Sequence, residues 1–466
     1  MPERFDIEEF RRAGHQAVDW IADYLADPRG YPVLPDLKPG ELIDRLPHTA
    51  PEEGQPLERI LADFRELIVP ATTHWNHPRF MAYFGSSGSA PGVLGEMLAA
   101  TLNNNAMVWK SGPSSTELEQ VTLGWLRQWM GLPEEFFGLI YDTASISSFH
   151  AIAAARELAD PQSRKRGLRQ DLTVYASEQA HSSIEKGTIA LGIGQDNLRK
   201  IPVDAEFRLR PEALVEAIEQ DLGAGKKPCC VVATVGTTST TSIDPVAAVA
   251  DIAQRYGLWF HIDAAYGGAA AILPEHRHIL DGAGRADSLV MNPHKWLFTP
   301  SDLSAFYTRR PEVLRRAFAL VPEYLRTAED GRVVNLMDYG VQLGRRFRSL
   351  KLWFVMRHFG RSGIQRILRS HIEWAQELAQ AIRADERFEV VAPTPLSVVC
   401  FRVRGSDERN RRLLDRVNAS GQTFLSHTAL EGRYVVRMAI GNLGTTRQDV
   451  EQVWQLVRDA ADSEPE

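Results

Sequence analysis

Between residues 6 and 26 apolar side chains recur every three to four positions, and Phe10, Ala13, Ala17, Trp20, Ile21, Tyr24 and Leu25 share one stripe. That spacing predicts an amphipathic helix. The stretch behind it, "DPRGYPVLPDLKPGEL", predicts a surface strap. A helix followed by such a strap suits the embrace of a larger body, such as a second subunit. From about 115 to 310 the pattern changes, and short apolar runs alternate with helical ones. "LTVYAS", "CCVVATVG", "LWFHIDAA", "DSLVMN" and "SAFYT" predict strands, and "DPVAAVADIAQRYG" predicts a helix closed by its glycine. Apolar strands alternating with helices predict an α/β architecture, a mostly parallel sheet covered on both faces. Ligands of such sheets lie beyond the carboxyl ends of the strands.

After about residue 355 the pattern changes again. A long helix near 363–384, "FEVVAPTPLSVVCFRVRG", a helix near 408–418, "YVVRMAIG" and a terminal helix predict a smaller α+β unit. The organisation expected is an N-terminal helical arm (1–85), a large α/β domain (86–355) and a small C-terminal α+β domain (356–466).

Composition narrows the function classes. A 466-residue chain exceeds one ordinary core. A net charge of −7 argues against nucleic acid as the main partner, because neutralising phosphates takes a basic excess. Three cysteines make neither a disulfide framework nor a metal-ligand spacing, and the paired histidines of "HWNH" and "HRH" lack a third ligand. With no apolar run long enough to span a bilayer and no signal-peptide pattern, the expected compartment is the cytoplasm. A serine hydrolase would need a G-x-S-x-G turn, which the chain lacks.

Chemistry collects at the ends of four strands. "LWFHIDAAYGG" ends on Asp263, "VVATVGTTSTTSID" on a hydroxyl loop with Thr237 and Thr238, "LTVYASEQAHSS" leads to His181, and "DSLVMNPH" leads to Lys295. "YDTASISSFHAIAAARE" adds small hydroxyl residues running into an alanine-rich helix, a pattern that suits an anion. Each has an ordinary reading as cap, turn or core group; their convergence on one sheet edge favours chemistry. A nucleophilic amine, a carboxylate, an imidazole and a phosphate cradle together point to pyridoxal 5'-phosphate. Lys295 then bonds the cofactor aldehyde, Asp263 keeps the ring nitrogen protonated, and His181 lies on the ring.

The motifs "HIDAAYGGAA", "MNPHKWL", "YASEQAHSS", "VVATVGTTST" and "LGRRFRSLKLWF" closely resemble those of the group II pyridoxal-phosphate decarboxylases, aromatic-L-amino-acid decarboxylases above all. The resemblance spans nearly the whole chain. It implies fold type I (aspartate aminotransferase-like) and an obligate homodimer with active sites at the subunit interface. It also implies decarboxylation of an aromatic L-amino acid to its amine and carbon dioxide. Residue by residue, it implies Lys295 as the cofactor-bonding lysine, Asp263 as the ring-nitrogen partner and Ala265 on the ring face opposite His181. Ala144, Ser145, Asn292 and His294 match phosphate-binding positions, and Thr238 a cofactor contact. Tyr324 matches a mobile-loop tyrosine that returns a proton to carbon, and related aldehyde synthases carry phenylalanine there. Trp75, Tyr83, Phe84, Ser86, His181 and Gly344 match substrate-side positions.

The chain departs from that pattern at Gly85, Asn105 and Met107 in the substrate region, which implies a wider or more polar pocket. Asp142 and Ile146 depart from it beside the phosphate loop, where a carboxylate must pair with a cation or turn away. The competing readings are another pyridoxal-phosphate activity, such as an aldehyde synthase or a decarboxylase of non-aromatic amino acids, and a non-catalytic scaffold.

Overall fold

The computed structural model describes residues 6–168, 171–320 and 331–463. Its centre is a seven-stranded sheet of β1 (Phe137–Tyr141), β2 (Leu172–Ser177), β3 (Leu198–Ile201), β4 (Lys227–Thr234), β5 (Trp259–Asp263), β6 (Ser288–Met291) and β7 (Ser304–Thr308), in the order β1-β7-β6-β5-β4-β2-β3. Strands β2 to β6 pair in parallel, and β7 runs antiparallel to both its neighbours. Every residue of β2 and β5 is buried, which is why both read as unbroken apolar runs.

The two strands that the apolar pattern did not mark, β1 and β3, lie at the sheet's edges. "LRKI" of β3 keeps one fully buried residue, so it carries little apolar signal. Register sets the chemistry side by side: Thr234 pairs with Asp263, and Asp263 with Val290. Ser177, Thr234, Asp263 and Met291, the last residues of four parallel strands, therefore share one edge.

A second sheet is antiparallel, in the order β10 (Ser426–Leu430), β11 (Arg433–Ala439), β9 (Val398–Val403), β8 (Phe388–Val390). Helices Asp407–Ala419 and Arg447–Asp462 close its core with Leu413, Val417, Val453 and Trp454. The long helix runs over Ser349–Ala384, starting well before the expected 363, and breaks at Gly360 (φ 61°, ψ 169°). The glycine hid its first part, because Gly lowers helix signal and here leaves helical geometry altogether.

The N-terminal helix spans Ile7–Ala26 and is capped by Asp6, whose carboxylate accepts the Glu8 and Glu9 N–H groups. Of its stripe Ala13 is buried, Ala17, Trp20, Ile21, Tyr24 and Leu25 are half-buried and Phe10 is exposed, as are Ile7 and Val18 off the stripe. No helix of the described residues is long and apolar enough to cross a membrane, and no cluster of metal-ligating side chains occurs among them.

Candidate active site

Lys295 sits in a one-turn helix, Pro293–Trp296, directly after β6. Its Nζ lies 4.9 Å from the centre of the Phe84 ring, and the Arg437 guanidinium lies 4.6 Å from the same centre. Loss of water pushes the Lys295 amine down to about 8; Asp263 opposes the change and Arg437 adds to it. Near neutral pH a useful fraction is then a neutral nucleophile. The other face of Phe84 is taken by Tyr266, stacked at 3.9 Å. Tyr266 stacks on Trp296 at 4.6 Å, and the Trp296 Nε1–H donates to His371 Nδ1 (3.0 Å).

Asp263 is 3% exposed, and its Oδ1 accepts the Ala265 N–H (3.1 Å). Among the described residues no cation lies within ion-pair distance of it. A buried carboxylate is costly without a partner, so a protonated ring nitrogen is the kind of group this site lacks. His181 caps helix Ser182–Ala190, its Nδ1 accepting the Ser183 N–H (3.1 Å). In the neutral ring that bond assigns the proton to Nε2. Desolvation lowers the His181 pKa, with Asp263 pulling the other way and Lys295 adding to the fall.

The structure gathers Ala144, Ala265 and Val290 into one small apolar cluster. Ala144 opens helix Ala144–Ala159, whose N-cap Thr143 makes no side-chain capping bond, and Ser145 stands exposed beside it. Asn292 is 2% exposed, yet its Oδ1 has no hydrogen-bond partner. His294 Nδ1 accepts the Leu303 N–H (3.0 Å), and burial lowers its pKa to about 4, which leaves a neutral ring with one donor, Nε2–H. Thr238 is exposed in the loop after β4. An uncapped helix start, free hydroxyls, an unpartnered buried amide and a small apolar floor fit a flat heterocycle carrying a phosphate.

The chain belongs to the pyridoxal-dependent decarboxylase family. The family's conserved domain matches residues 39–404. Curated relatives include tryptophan decarboxylase TDC2 of Camptotheca acuminata, 42% identical over 98% of this chain and 95% of that one. Tyrosine decarboxylase 2 of Narcissus pseudonarcissus is 41% identical over 98% and 94%, and phenylacetaldehyde synthase of Arabidopsis thaliana 41% over 98% and 96%. The solved structure of Oryza sativa TDC with PLP and tryptamine superposes with a TM-score of 0.96 at 38% identity, covering 99% of each chain. As a pyridoxal-dependent decarboxylase the protein is a fold type I enzyme and a carboxy-lyase, with pyridoxal phosphate as its cofactor.

The substrate-side candidates do not form one cluster in the single chain. Phe84 meets Lys295, while Trp75 and Tyr83 stack on each other at 5.8 Å and are 40% and 53% exposed. Ser86 is half-buried. Gly344 lies beside Asn105, whose Nδ2 is 3.6 Å from where a Cβ at 344 would stand. Gly85 has a packing reason: a Cβ there would come within 3.1 Å of the Gly441 backbone. Ile146 packs with the Tyr141 cluster, and its carbonyl accepts from His150 Nδ1 (2.7 Å). Met107 is half-buried against Val108 and Met337. Tyr324 lies outside the described residues.

Sequence reasoning missed Arg437. It is 3% exposed, donates to the Ser239 carbonyl (3.1 Å) and the Tyr83 carbonyl, and keeps one Nη2 without a partner. The signal was available, since a cation inside the apolar "YVVRMAIG" is as anomalous as the lysine in "VMNPHKWLF".

Proposed function

We propose that this enzyme decarboxylates an aromatic L-amino acid of the tryptophan, tyrosine, dihydroxyphenylalanine or phenylalanine type, releasing the amine and carbon dioxide. The observation that carries the reading is the desolvated Lys295 amine over the Phe84 ring that it shares with Arg437, at the sheet edge where Asp263 has no ion-pair partner among the described residues. Relatives of about 40% identity named for tryptophan and tyrosine support the aromatic class. The bound cofactor supplies an electron-accepting ring for the pair left behind when carbon dioxide departs.

The chain's own groups do the rest. The Lys295 amine holds the coenzyme, and Asp263 keeps a proton on its ring nitrogen. His181 and Ala265 would hold the ring from its two faces. Ala144, Ser145, Asn292, His294 and Thr238 hold the phosphate end. The free N–H of Arg437 is placed to orient the substrate carboxylate. Phe84, with Trp75, Tyr83 and Ser86, offers aromatic surface to the side chain. Tyr324 returns a proton to the α-carbon.

A homodimer completes the site. Exposed Ile7, Phe10 and Val18 of the N-terminal helix and the apolar face of helix Ala90–Leu102, with Leu94, Met97, Leu98 and Leu102 open, supply the surface that a second subunit would cover. Gly344 and Asn105 would then face the partner's substrate. Three buried free thiols suit the cytoplasm. Aldehyde synthesis is the second reading, favoured by the kinship to phenylacetaldehyde synthase and opposed by the tyrosine at 324. The deciding experiment incubates holoenzyme with tryptophan, tyrosine, dihydroxyphenylalanine, phenylalanine, histidine and glutamate. Amine formed from an aromatic member supports the proposal; amine from glutamate alone, or aldehyde with peroxide, overturns it.

A further inference from the structure

Asp142 stands two residues before the helix that begins the phosphate cradle, where a carboxylate would repel a phosphate. Its contacts show where the charge goes. A guanidinium nitrogen of Arg348 lies 2.7 Å from Oδ1, and the Gln342 amide donates to Oδ2 (2.9 Å). Oδ1 has no well-directed hydrogen bond, so charge alone holds it to Arg348. Arg348 is 9% exposed and also donates to Asp302 (3.0 Å).

The segment from Tyr339 to Arg348 has further pins on the same side of the fold. Tyr141 donates to the Tyr339 carbonyl (2.5 Å), and the Val341 N–H donates to His150 Nε2 (3.1 Å). Arg345 reaches the Ile140 carbonyl (2.6 Å) and buried Glu119 (2.9 Å), while its own N–H donates to Asn105 Oδ1 (2.9 Å). Gly344 is thus fixed against Asn105 by a strap whose anchors are β1, the cradle and helix Ala144–Ala159. Asp142 supplies the anchor adjoining the cradle itself.

We propose that Asp142 is a positioning residue that couples the phosphate cradle to the strap bearing Gly344, so that cofactor binding tightens the substrate side. A phosphate dianion arriving at 143–145 adds negative charge beside Arg348 and strengthens the hold on its guanidinium. By linkage, a firmly seated strap favours the phosphate in turn. The inference rests on reading 143–145 as the cradle and Gly344 as substrate-facing.

Two measurements on the full chain test it: amide exchange at Val341 and Arg345 with and without pyridoxal phosphate, and steady-state kinetics on the preferred amino acid. Wild type should show slower exchange at both amides when the cofactor is added. Asp142→Ala should speed their exchange and abolish the cofactor's effect on it. It should also raise KM about fivefold, within the range of ordinary site–site coupling, and lower kcat by less. Asp142→Glu should restore part of both, and Asp142→Asn, which keeps the Gln342 bond, serves if the alanine variant does not fold. Exchange at 341 and 345 unchanged in the variants, or still slowed by the cofactor as in wild type, overturns the proposal. If no amino acid yields amine, the proposed function fails, and the exchange arm alone still decides the tether.

Discussion

A lysine, an aspartate and an arginine interact at the candidate site, and the first two can be tested singly. Only the neutral Lys295 amine attacks an aldehyde, and its pKa of about 8 places that form within reach of neutral pH. The rate at which apoenzyme takes up pyridoxal phosphate should therefore climb with pH and flatten above about 8, rather than near 10.5 as for an ordinary lysine. Stopped-flow absorbance reads this directly, and a rate still climbing steeply at pH 10 would contradict the desolvated amine. Replacing Asp263 by alanine should cost about 2–4 kcal/mol in kcat/KM, the usual penalty for one preorganised electrostatic group. Near-full turnover in that variant would remove Asp263 from the role. Tyr324→Phe should divert product to aldehyde, ammonia and peroxide, with oxygen consumed; unchanged amine yield would count against a proton-returning tyrosine. Lys295, Asp263 and His181 were legible because polar groups interrupt or end apolar runs there. Arg437 was equally anomalous in β11, but nothing linear tied "YVVRMAIG" to the lysine a hundred and more residues earlier. Its role depends on how the small sheet docks.

At the scale of elements, legibility followed burial. Strands covered on both faces, such as β2 and β5, declared themselves as apolar runs, while edge strands β1 and β3 did not. The long helix was legible only after Gly360, where its residues follow unbroken helical spacing. That glycine has φ 61° and ψ 169°, a region essentially closed to other residues, and a Cβ there would meet nothing within 4 Å. Gly360→Ala should thus destabilise through backbone strain alone, by about 1–3 kcal/mol. Chemical denaturation measures it, and an unchanged midpoint would show that the break relaxes into continuous helix. The phosphate-loop anomaly at Asp142 was visible in sequence, but its partner Arg348 is distant in the chain and only the fold pairs them.

Across the whole molecule, a set of buried imidazoles shares one electrostatic fate. Burial lowers the pKa of His77, His150, His261 and His294 to about 4 and that of His371 to about 3. The unfolded chain takes up protons at these rings near pH 6.5, and the folded chain does not. Their contribution is intact above that pH and is lost as pH falls toward 4, at about 1.4 kcal/mol per pH unit for each ring. Asp244, raised to about 7 by burial, works in the opposite direction, and burial also raises the carboxyls of Glu119, Glu157 and Asp287. Denaturation midpoints should drop steeply between pH 6.5 and 5, and a flat profile would mean that these rings charge without unfolding.

The stacked series from Phe84 through Tyr266 to Trp296 has an optical consequence. Trp296 is completely enclosed and adjoins Lys295 in sequence, so its emission should be blue-shifted relative to that of the half-exposed indoles. Any chromophore bonded at position 295 stands next to that emitter and will drain its excited state. The protein carries a native fluorescence gauge of its own occupancy.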